Sequence, residues 1–428
     1  MTGKLRVLLV GNGGREHALA WKLLQSPRIE HIFVVPGNGG TAILPKTTNI
    51  PTIKQEDFPS LVQFAKENSV NLVVPGPEAP LVAGIADYFA NHSGIPCFGP
   101  SQAAARMEGS KTFSKDFMKR NNIPTAAYEN FSEYEKAKAY LDTVKHNVVI
   151  KADGLAAGKG VIIPQSKEEA QAALREIMLE KEFGAAGDEV VIEEFLEGDE
   201  LSFLTFSDGT TIRSLPPAQD HKRIGEGDTG PNTGGMGTYA PTRIAPREVI
   251  EQVHKEILQP TVDGMKKEGF EFKGVLFTGL MMTKDGPKTL EYNVRFGDPE
   301  TQSLLALMES DLAEVMVACT QGRLKEVEVK VSDRSAATVV VAAGGYPGAY
   351  AKGTVMTLDT VPEDVVLFHA GTSFADNTLK TAGGRVIAST ATAPTLEEAV
   401  ARAYKGVDCI HFEGIQYRKD IAGRALKK

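Results

Sequence analysis

The sequence predicts an α/β and α+β multidomain protein, with a doubly wound parallel sheet at the N-terminus and a β-rich C-terminal domain. Three observations carry this expectation. The chain has 428 residues, enough for about two to four domains. Over the first hundred residues, short apolar runs alternate with amphipathic helical stretches, as strands buried on both faces of a parallel sheet do. From about residue 196 to 330 the pattern reads as a larger antiparallel sheet with helices, and the last hundred residues are dominated by strand-like runs.

The elements follow in order. Residues 5–10 form a continuous apolar strand, followed by a glycine loop and a helix over 15–25 with Leu19, Ala20, Leu23 and Leu24 on one face. Strands are expected at 32–35, 72–74 and 95–98, with a helix at 61–68. Residues 101–125 read as one long helical stretch ending at Pro124. A small α+β unit over 126–195 holds strands at 148–151, 160–163 and 189–195 and a helix at 167–180. Beyond it, 201–206, 275–283 and 289–294 are the clearest strands of the larger sheet. The C-terminal part has strands at 336–343, 365–370 and 385–389 and closes with a helix at 396–407.

Composition narrows the function. The net charge of −8, from 47 Lys+Arg against 55 Asp+Glu, disfavours broad nucleic-acid binding but leaves room for a local basic pocket. No apolar run reaches the ~20 residues that span a bilayer, and the N-terminus opens onto a strand rather than a signal peptide. Cys97, Cys319 and Cys409 stand far apart, in no metal-ligand spacing, and read as reduced thiols. A cytoplasmic protein with no nucleic-acid or membrane partner is expected. The 42 glycines follow no collagen period, so they serve loops, and many tight glycine loops suggest phosphate or nucleotide binding.

Five motifs could carry chemistry. Gly11-Asn12-Gly13-Gly14 enters a helix, where an anion is favoured. Glu16 replaces the last glycine of a dinucleotide fingerprint, so a smaller phosphorylated ligand is expected. Similar loops at 36–40 and 75–78, the latter holding Pro77 and Glu78, sit at neighbouring strand ends, where ligands bind. The hairpin over 151–160 holds Gly154, Gly158 and Gly160 and two phosphate-binding candidates, Lys151 and Lys159. In the acidic stretch 193–200, Glu193 and the backbone at Phe195 and Leu196 are candidates for an adenine edge and Glu200 for ribose hydroxyls. An acidic surface turn is the alternative there. Asp220, His221, Lys222 and Arg223 precede a glycine-dense loop containing Gly235 and Met236, long for a purely structural connection. In the fifth motif, Glu291, Asn293 and Arg295 share one face if all lie on a strand. Two oxygens there suit Mg²⁺, and Arg295 suits a developing negative charge. An ion pair across a sheet edge is the competing reading.

Motifs two, three and five, in this order, resemble the ATP-grasp fold. With GNGGREHALAWKL, VVPGPEAPLV, SKTFSKDFM, QDHKR, TGPNTGGMG, YNVRFGDPETQ, AAGGYP and YRKDIA, the chain from about Val7 to Ala422 resembles the phosphoribosylamine–glycine ligase family. The resemblance implies central ATP-grasp lobes. It divides the chain into an N-terminal substrate domain (1–105), an ATP-grasp core (106–125 and 194–332), a small mobile lobe (126–193) and a β-rich C-terminal domain (333–428). It implies ATP and Mg²⁺ (with Mn²⁺ as a substitute) as cofactors, and ligation of glycine to 5-phosphoribosylamine through a glycyl phosphate in de novo purine synthesis. Another ATP-grasp ligase or carboxylase is the alternative.

By the same resemblance, Lys111 and Lys151 hold ATP phosphates under the hairpin 154–160, and Glu193, Phe195, Leu196 and Glu200 hold adenosine. Glu291 and Asn293 ligate the metal, and Arg295 and Asp298 face the glycine. Gly13, Gly14, Pro77, Glu78, Asp220, Lys222, Arg223, Gly235 and Met236 locate the phosphoribosylamine. Many ATP-grasp enzymes carry an acidic residue where this chain has Gly279, which leaves Glu291 as the one clear carboxylate ligand. The wording of several motifs looks fungal, and Lys428 falls where a fused aminoimidazole ribonucleotide synthetase module would begin.

Overall fold

The computed structural model describes residues 3–156 and 158–427. Strand Leu5–Gly11 lies inside a four-stranded parallel sheet, between Ile29–Pro36 and Leu72–Pro75, with Thr47–Asn49 at one edge. Its side chains alternate between two cores. Leu5, Val7 and Leu9 pack with Leu19 and Leu23 of helix Gly14–Leu23, whereas Leu8 and Val10 join Leu61, Phe89 and Phe117 on the other side. Both faces are buried, which is why the run reads as continuously apolar.

Three local readings change. The strand expected at 95–98 is a single bridge between Cys97 and Val73. The edge strand Thr47–Asn49 is short and polar, so no apolar run announces it. The helical stretch over 101–125 is two helices, Gln102–Gly109 and Lys111–Arg120. Ser110 breaks it in an extended conformation and caps the second helix, its Oγ accepting from the Phe113 N–H at 3.1 Å.

The small unit has its own sheet, ordered Tyr128–Phe131, Val190–Glu194, Val148–Ala152, Val161–Ile162. Helices Tyr134–Thr143 and Lys167–Met178 close a separate core around Leu141, Ile150, Leu174, Ile177 and Ile192. It is tied to the helix start at residue 111 by Asp153, whose Oδ1 accepts from the Thr112 N–H at 2.7 Å and the Ser110 hydroxyl at 3.0 Å.

The larger antiparallel sheet runs Ile212–Ser214, Asp199–Asp208, Lys273–Thr283, Gly286–Asn293. The C-terminal sheet runs Gln219–Asp220, Gly237–Ala240, Ser335–Ala343, Arg385–Ala393, Val365–His369. The strands flanking the glycine-dense loop are thus the edge of the C-terminal sheet. Helix Leu396–Val407 covers that sheet with Leu396, Ala399, Val400, Ala403 and Val407, a helical repeat.

The loop over 36–40 differs from its expected role as a ligand cradle. Its Gly39 N–H donates to the Thr372 carbonyl at 3.0 Å and Asn38 Nδ2 to the His369 carbonyl at 2.8 Å. It joins the N-terminal sheet to the C-terminal one. Beside it, the His17 ring meets Phe368 edge-on and accepts the His369 backbone N–H at 2.7 Å. Among the described residues no helix is long and apolar enough to cross a membrane.

Candidate active site

The nucleotide-binding candidates meet where the small unit faces the larger sheet. Lys151, buried on strand Val148–Ala152, lies 3.1 Å from Glu193 Oε1 and donates to the Leu290 carbonyl at 3.3 Å. Glu193, which the sequence aimed at an adenine edge, also has Lys115 at 3.6 Å. Its buried carboxylate is therefore committed to two ammonium groups. Lys115 was not singled out by sequence, although it sits one turn beyond Lys111 on the same helix face. Burial pulls its amine down to about 8, against the attraction of Glu193. Lys111 donates to the Gly154 carbonyl at 3.1 Å, and burial lowers its proton affinity against the pull of Glu291.

Leu196 is buried against Ala126 and Met281, and Phe195 is half-buried, its N–H donating to the Asn147 carbonyl at 2.8 Å. Glu200 pairs with Lys222 at 3.0 Å, an ion pair that raises the Lys222 proton affinity. In the hairpin, Gly154 is half-buried, Gly158 adopts φ +76° at an exposed turn, Lys159 is exposed and Gly160 is buried. Ala157, also within that hairpin, lies outside the described residues.

The metal-ligand candidates sit on strand Gly286–Asn293, where Glu291 pairs with Gly279 across the sheet. A Cβ on Gly279 would stand 3.4 Å from the Glu291 Cγ, so no neighbouring side chain fills that position. The strand ends at Asn293, so Arg295 does not share its face as the sequence pattern suggested. Two carboxylates position Arg295 instead: Glu78 at 3.2 Å and Glu108 at 3.1 Å. Glu108 was also missed by sequence. It is buried, and it accepts from Asn293 Nδ2 at 3.0 Å and from the Val294 N–H at 2.7 Å.

The charges are mutually adjusted. Burial works against the Glu291 carboxylate, but Lys222, Lys151, Lys111 and Arg295 outweigh it and hold its pKa below the usual range. Burial likewise opposes the Arg295 charge, and Glu108 and Glu78 more than compensate. Burial raises the proton affinity of Glu108 despite Arg295. This set fits a divalent hard cation. Asn293 gives its amide hydrogen to Glu108 and keeps Oδ1 as an acceptor, two residues from Glu291 on the same strand face. Two oxygen ligands suit an ion that takes its remaining ligands from phosphates and water. Among the described residues there is no group of three or more His, Cys, Asp or Glu arranged to hold a metal by itself.

The third cluster gathers the loop ends. Asp298 Oδ1 accepts from Gln302 Nε2 at 2.8 Å, Oδ2 from the Arg15 N–H at 3.3 Å, and Arg385 lies 3.7 Å from Oδ2. Burial would raise its pKa, but Arg385, Arg15 and these bonds hold it below the usual carboxylate range. Gly13 and Gly14 lie against Asp298 and Gln302. Glu16 explains the neighbouring glycines. It accepts from the Gly13 N–H at 2.6 Å and pairs with Arg15 at 2.6 Å. A Cβ on Gly76 would stand 1.8 Å from its Oε1, and one on Gly11 2.6 Å from its Cδ. The space at Gly11 and Gly76 is therefore taken by a buried side chain, not left for a ligand.

Pro77 caps helix Glu78–Val82, which aims Glu78 at Arg295. Asp220 accepts from the His221 N–H at 2.7 Å and lies against Gly235. Burial and nearby Glu300 push its pKa well above the usual carboxylate range, with Lys222 opposing. Arg223 donates to the Gly230 carbonyl at 2.7 Å, closing the hairpin Arg223–Gly225 to Thr229–Asn232. Met236 is fully buried, and its N–H and carbonyl bond to His221 and Val340, so it shapes the loop from beneath.

Three family models match the chain in succession. The phosphoribosylglycinamide synthetase N domain covers residues 5–108, the ATP-grasp (A) domain 109–301 and the C domain 336–424. The chain belongs to the phosphoribosylglycinamide synthetase family. Among relatives of this family, a bifunctional purine biosynthetic protein of Pichia angusta is 60% identical over 99% of this chain and 54% of its own length. One from Schizosaccharomyces pombe is 59% identical over 98% of this chain and 53% of its own length. The chain thus spans about half the length of these fungal relatives. A phosphoribosylamine–glycine ligase of Escherichia coli is 49% identical over 99% of both chains. The crystal structure of the Thermotoga maritima phosphoribosylamine–glycine ligase matches with a TM-score of 0.85, at 36% identity, over 98% of this chain and 100% of that one. A biotin carboxylase of Campylobacter jejuni shares the fold alone, with a TM-score of 0.76 at 14% identity over 99% of this chain and 95% of that one. Lys428, where a fused module was expected to begin, lies outside the described residues.

Proposed function

We propose that this chain joins glycine to 5-phosphoribosylamine with ATP, giving glycinamide ribonucleotide, ADP and phosphate in de novo purine biosynthesis. The observation that carries this reading is the convergence of Lys111, Lys151, Lys222 and Arg295 on Glu291, on the strand that also bears Asn293. The cluster that holds Asp298 lies next to it, through Arg295 and Glu300. The family membership and the full-length likeness to phosphoribosylamine–glycine ligases support it.

In this reading Lys111 and Lys151 bind the ATP phosphates, and the backbone near Phe195 and Leu196 borders the adenine. Glu193 holds Lys151 and Lys115 in register, and Glu200 acts with Lys222 beside the ribose. Glu291 and Asn293 Oδ1 hold Mg²⁺, for which Mn²⁺ can substitute. Bound there, the ion offsets charge on the transferring phosphoryl group. Arg295 is kept cationic by Glu78 and Glu108, facing the glycine carboxylate as it becomes an acyl phosphate. The hairpin over 154–160, with Gly158 and Lys159 at its tip, excludes the water that would hydrolyse it.

Asp298 orients the attacking amine rather than deprotonating it, because its bonds keep its proton affinity low. Asp220, which accepts from the His221 N–H and lies against Gly235, borders the phosphoribosylamine. Gly13, Gly14, Pro77, Glu78, Lys222, Arg223 and Gly235 form the walls on the phosphoribosylamine side, with Met236 supporting them. We assign the substrate domain to 1–105, the ATP-grasp core to 106–125 and 194–332, the mobile lobe to 126–193 and the C-terminal domain to 333–428. The reaction is placed in the cytoplasm, with the chain fused to or acting beside an aminoimidazole ribonucleotide synthetase module.

The test is direct. The purified chain, given ATP, Mg²⁺, glycine and freshly generated phosphoribosylamine, releases ADP only when both co-substrates are present and forms glycinamide ribonucleotide. ADP release with bicarbonate and without glycine would favour a carboxylase instead.

A further inference from the structure

We propose that Arg385, on the C-terminal sheet, is a positioning residue of this site, clamping the Asp298 peptide and the turn at Gly234 and Gly235 into one arrangement. The inference rests on the ligase reading above. Arg385 opens strand Arg385–Ala393. Its Nη1 donates to the Asp298 carbonyl at 2.8 Å and to the Gly235 carbonyl at 3.3 Å, and its Nη2 lies 3.7 Å from Asp298 Oδ2. One guanidinium thus joins two segments that are far apart in sequence: Nη1 bridges the two carbonyls while Nη2 faces the Asp298 carboxylate, a two-nitrogen span that a single lysine ammonium lacks.

The surroundings are shaped for this clamp. A Cβ on Gly234 would stand 2.8 Å from the Arg385 Cζ, so the guanidinium lies directly against the Gly234 backbone. The Gly234 N–H donates to the Tyr346 hydroxyl at 3.1 Å. Tyr346 in turn packs where a Cβ on Gly384 would lie 2.2 Å from its ring. The turn is therefore held from the C-terminal side by a phenol and a guanidinium, each packed where a Cβ on a glycine would displace it. Gly235 carries the turn at φ +123° and brings it against Asp220. Arg385 consequently fixes the spacing between Asp298, which orients the amine, and Asp220, which lies against the Gly235 turn. The nucleotide groups Lys111, Lys151 and Glu193 have no bond to it.

A misplacement of about 1 Å in such a site costs on the order of 10²-fold in rate. Arg385→Ala is expected to lower kcat on that order while the KM for ATP changes less than about twofold. Guanidinium ion in the buffer should recover at least about tenfold of the loss, a rescue that a general structural defect would not show. Hydrogen exchange, read without turnover, should speed up over 233–238 and stay unchanged over 148–194. Wild-type kcat in the variant, or equal losses in kcat and ATP affinity without rescue, would overturn the proposal. Should that variant not fold, Arg385→Lys decides: a drop of about tenfold or more in kcat at unchanged ATP KM supports the clamp, and wild-type kcat refutes it. A wild-type chain that forms no product while Arg385→Ala still loosens 233–238 would sink the ligase reading and leave the clamp standing. Unchanged exchange there would sink the clamp alone.

Discussion

Glu108 and Arg295 show how a buried charge is made useful. Glu108 costs desolvation energy, and accepting from Asn293, Val294 and Arg295 together offsets part of it. Removing one partner of a buried pair typically costs about 3–5 kcal/mol. Arg295→Ala is therefore expected to lower both the melting temperature and turnover, with ATP affinity nearly unchanged. Adding Glu108→Gln should recover much of the stability and none of the turnover, a split read by calorimetry and steady-state kinetics. Glu291→Gln tests the metal site. Removing its charge should weaken Mg²⁺-dependent ATP binding by about tenfold or more, measured by titration calorimetry across Mg²⁺ concentrations. An unchanged Mg²⁺ requirement would exclude Glu291 as a ligand.

Among the elements, the junction at Ser110 matters most. The side chain that breaks a helical stretch also caps helix Lys111–Arg120, and Asp153 from the small unit adds a carboxylate at the same helix start. An anion there is favoured by the exposed N–H groups and the helix dipole. Asp153→Ala removes two hydrogen bonds and should cost roughly 2 kcal/mol. The loss should appear as faster hydrogen exchange over 148–194, with the C-terminal sheet unaffected. Equal exchange across the molecule would show that Asp153 does not anchor the small unit.

Across the whole molecule, three buried histidines join parts that are distant in sequence. His17 and His369 lie between the N- and C-terminal sheets, and His221 accepts the Ala422 N–H at 3.0 Å. Burial lowers their pKa values to about 3, 4 and 4, with the His369 ring adding to the effect on His17. Below pH 6.5 the unfolded chain binds protons that the folded one refuses, so stability falls as pH falls through that window toward about 4. At pH 5 each histidine accounts for roughly 2 kcal/mol of lost stability. Melting temperatures from pH 7.5 to 4.5 should show this decline, and His369→Asn should flatten it. A decline of the same size in His17→Gln, His369→Asn and the wild type would assign it to carboxylates instead.

Much of this protein was written locally. The apolar run at 5–10, the helix at 396–407 and the spacing of Glu291 and Asn293 are short-range patterns, and each appears in the structure where its period places it. Only the tertiary structure decided the rest. Thr47–Asn49 is polar, and its strand exists because a sheet edge was available. Glu16, Glu108, Lys115 and Arg385 look like ordinary charges in sequence. Burial makes them depend on partners that the fold supplies, as Glu108 depends on Val294 and Arg295. Periodicity records which face of an element is buried, but it carries no address for the charge on the other side.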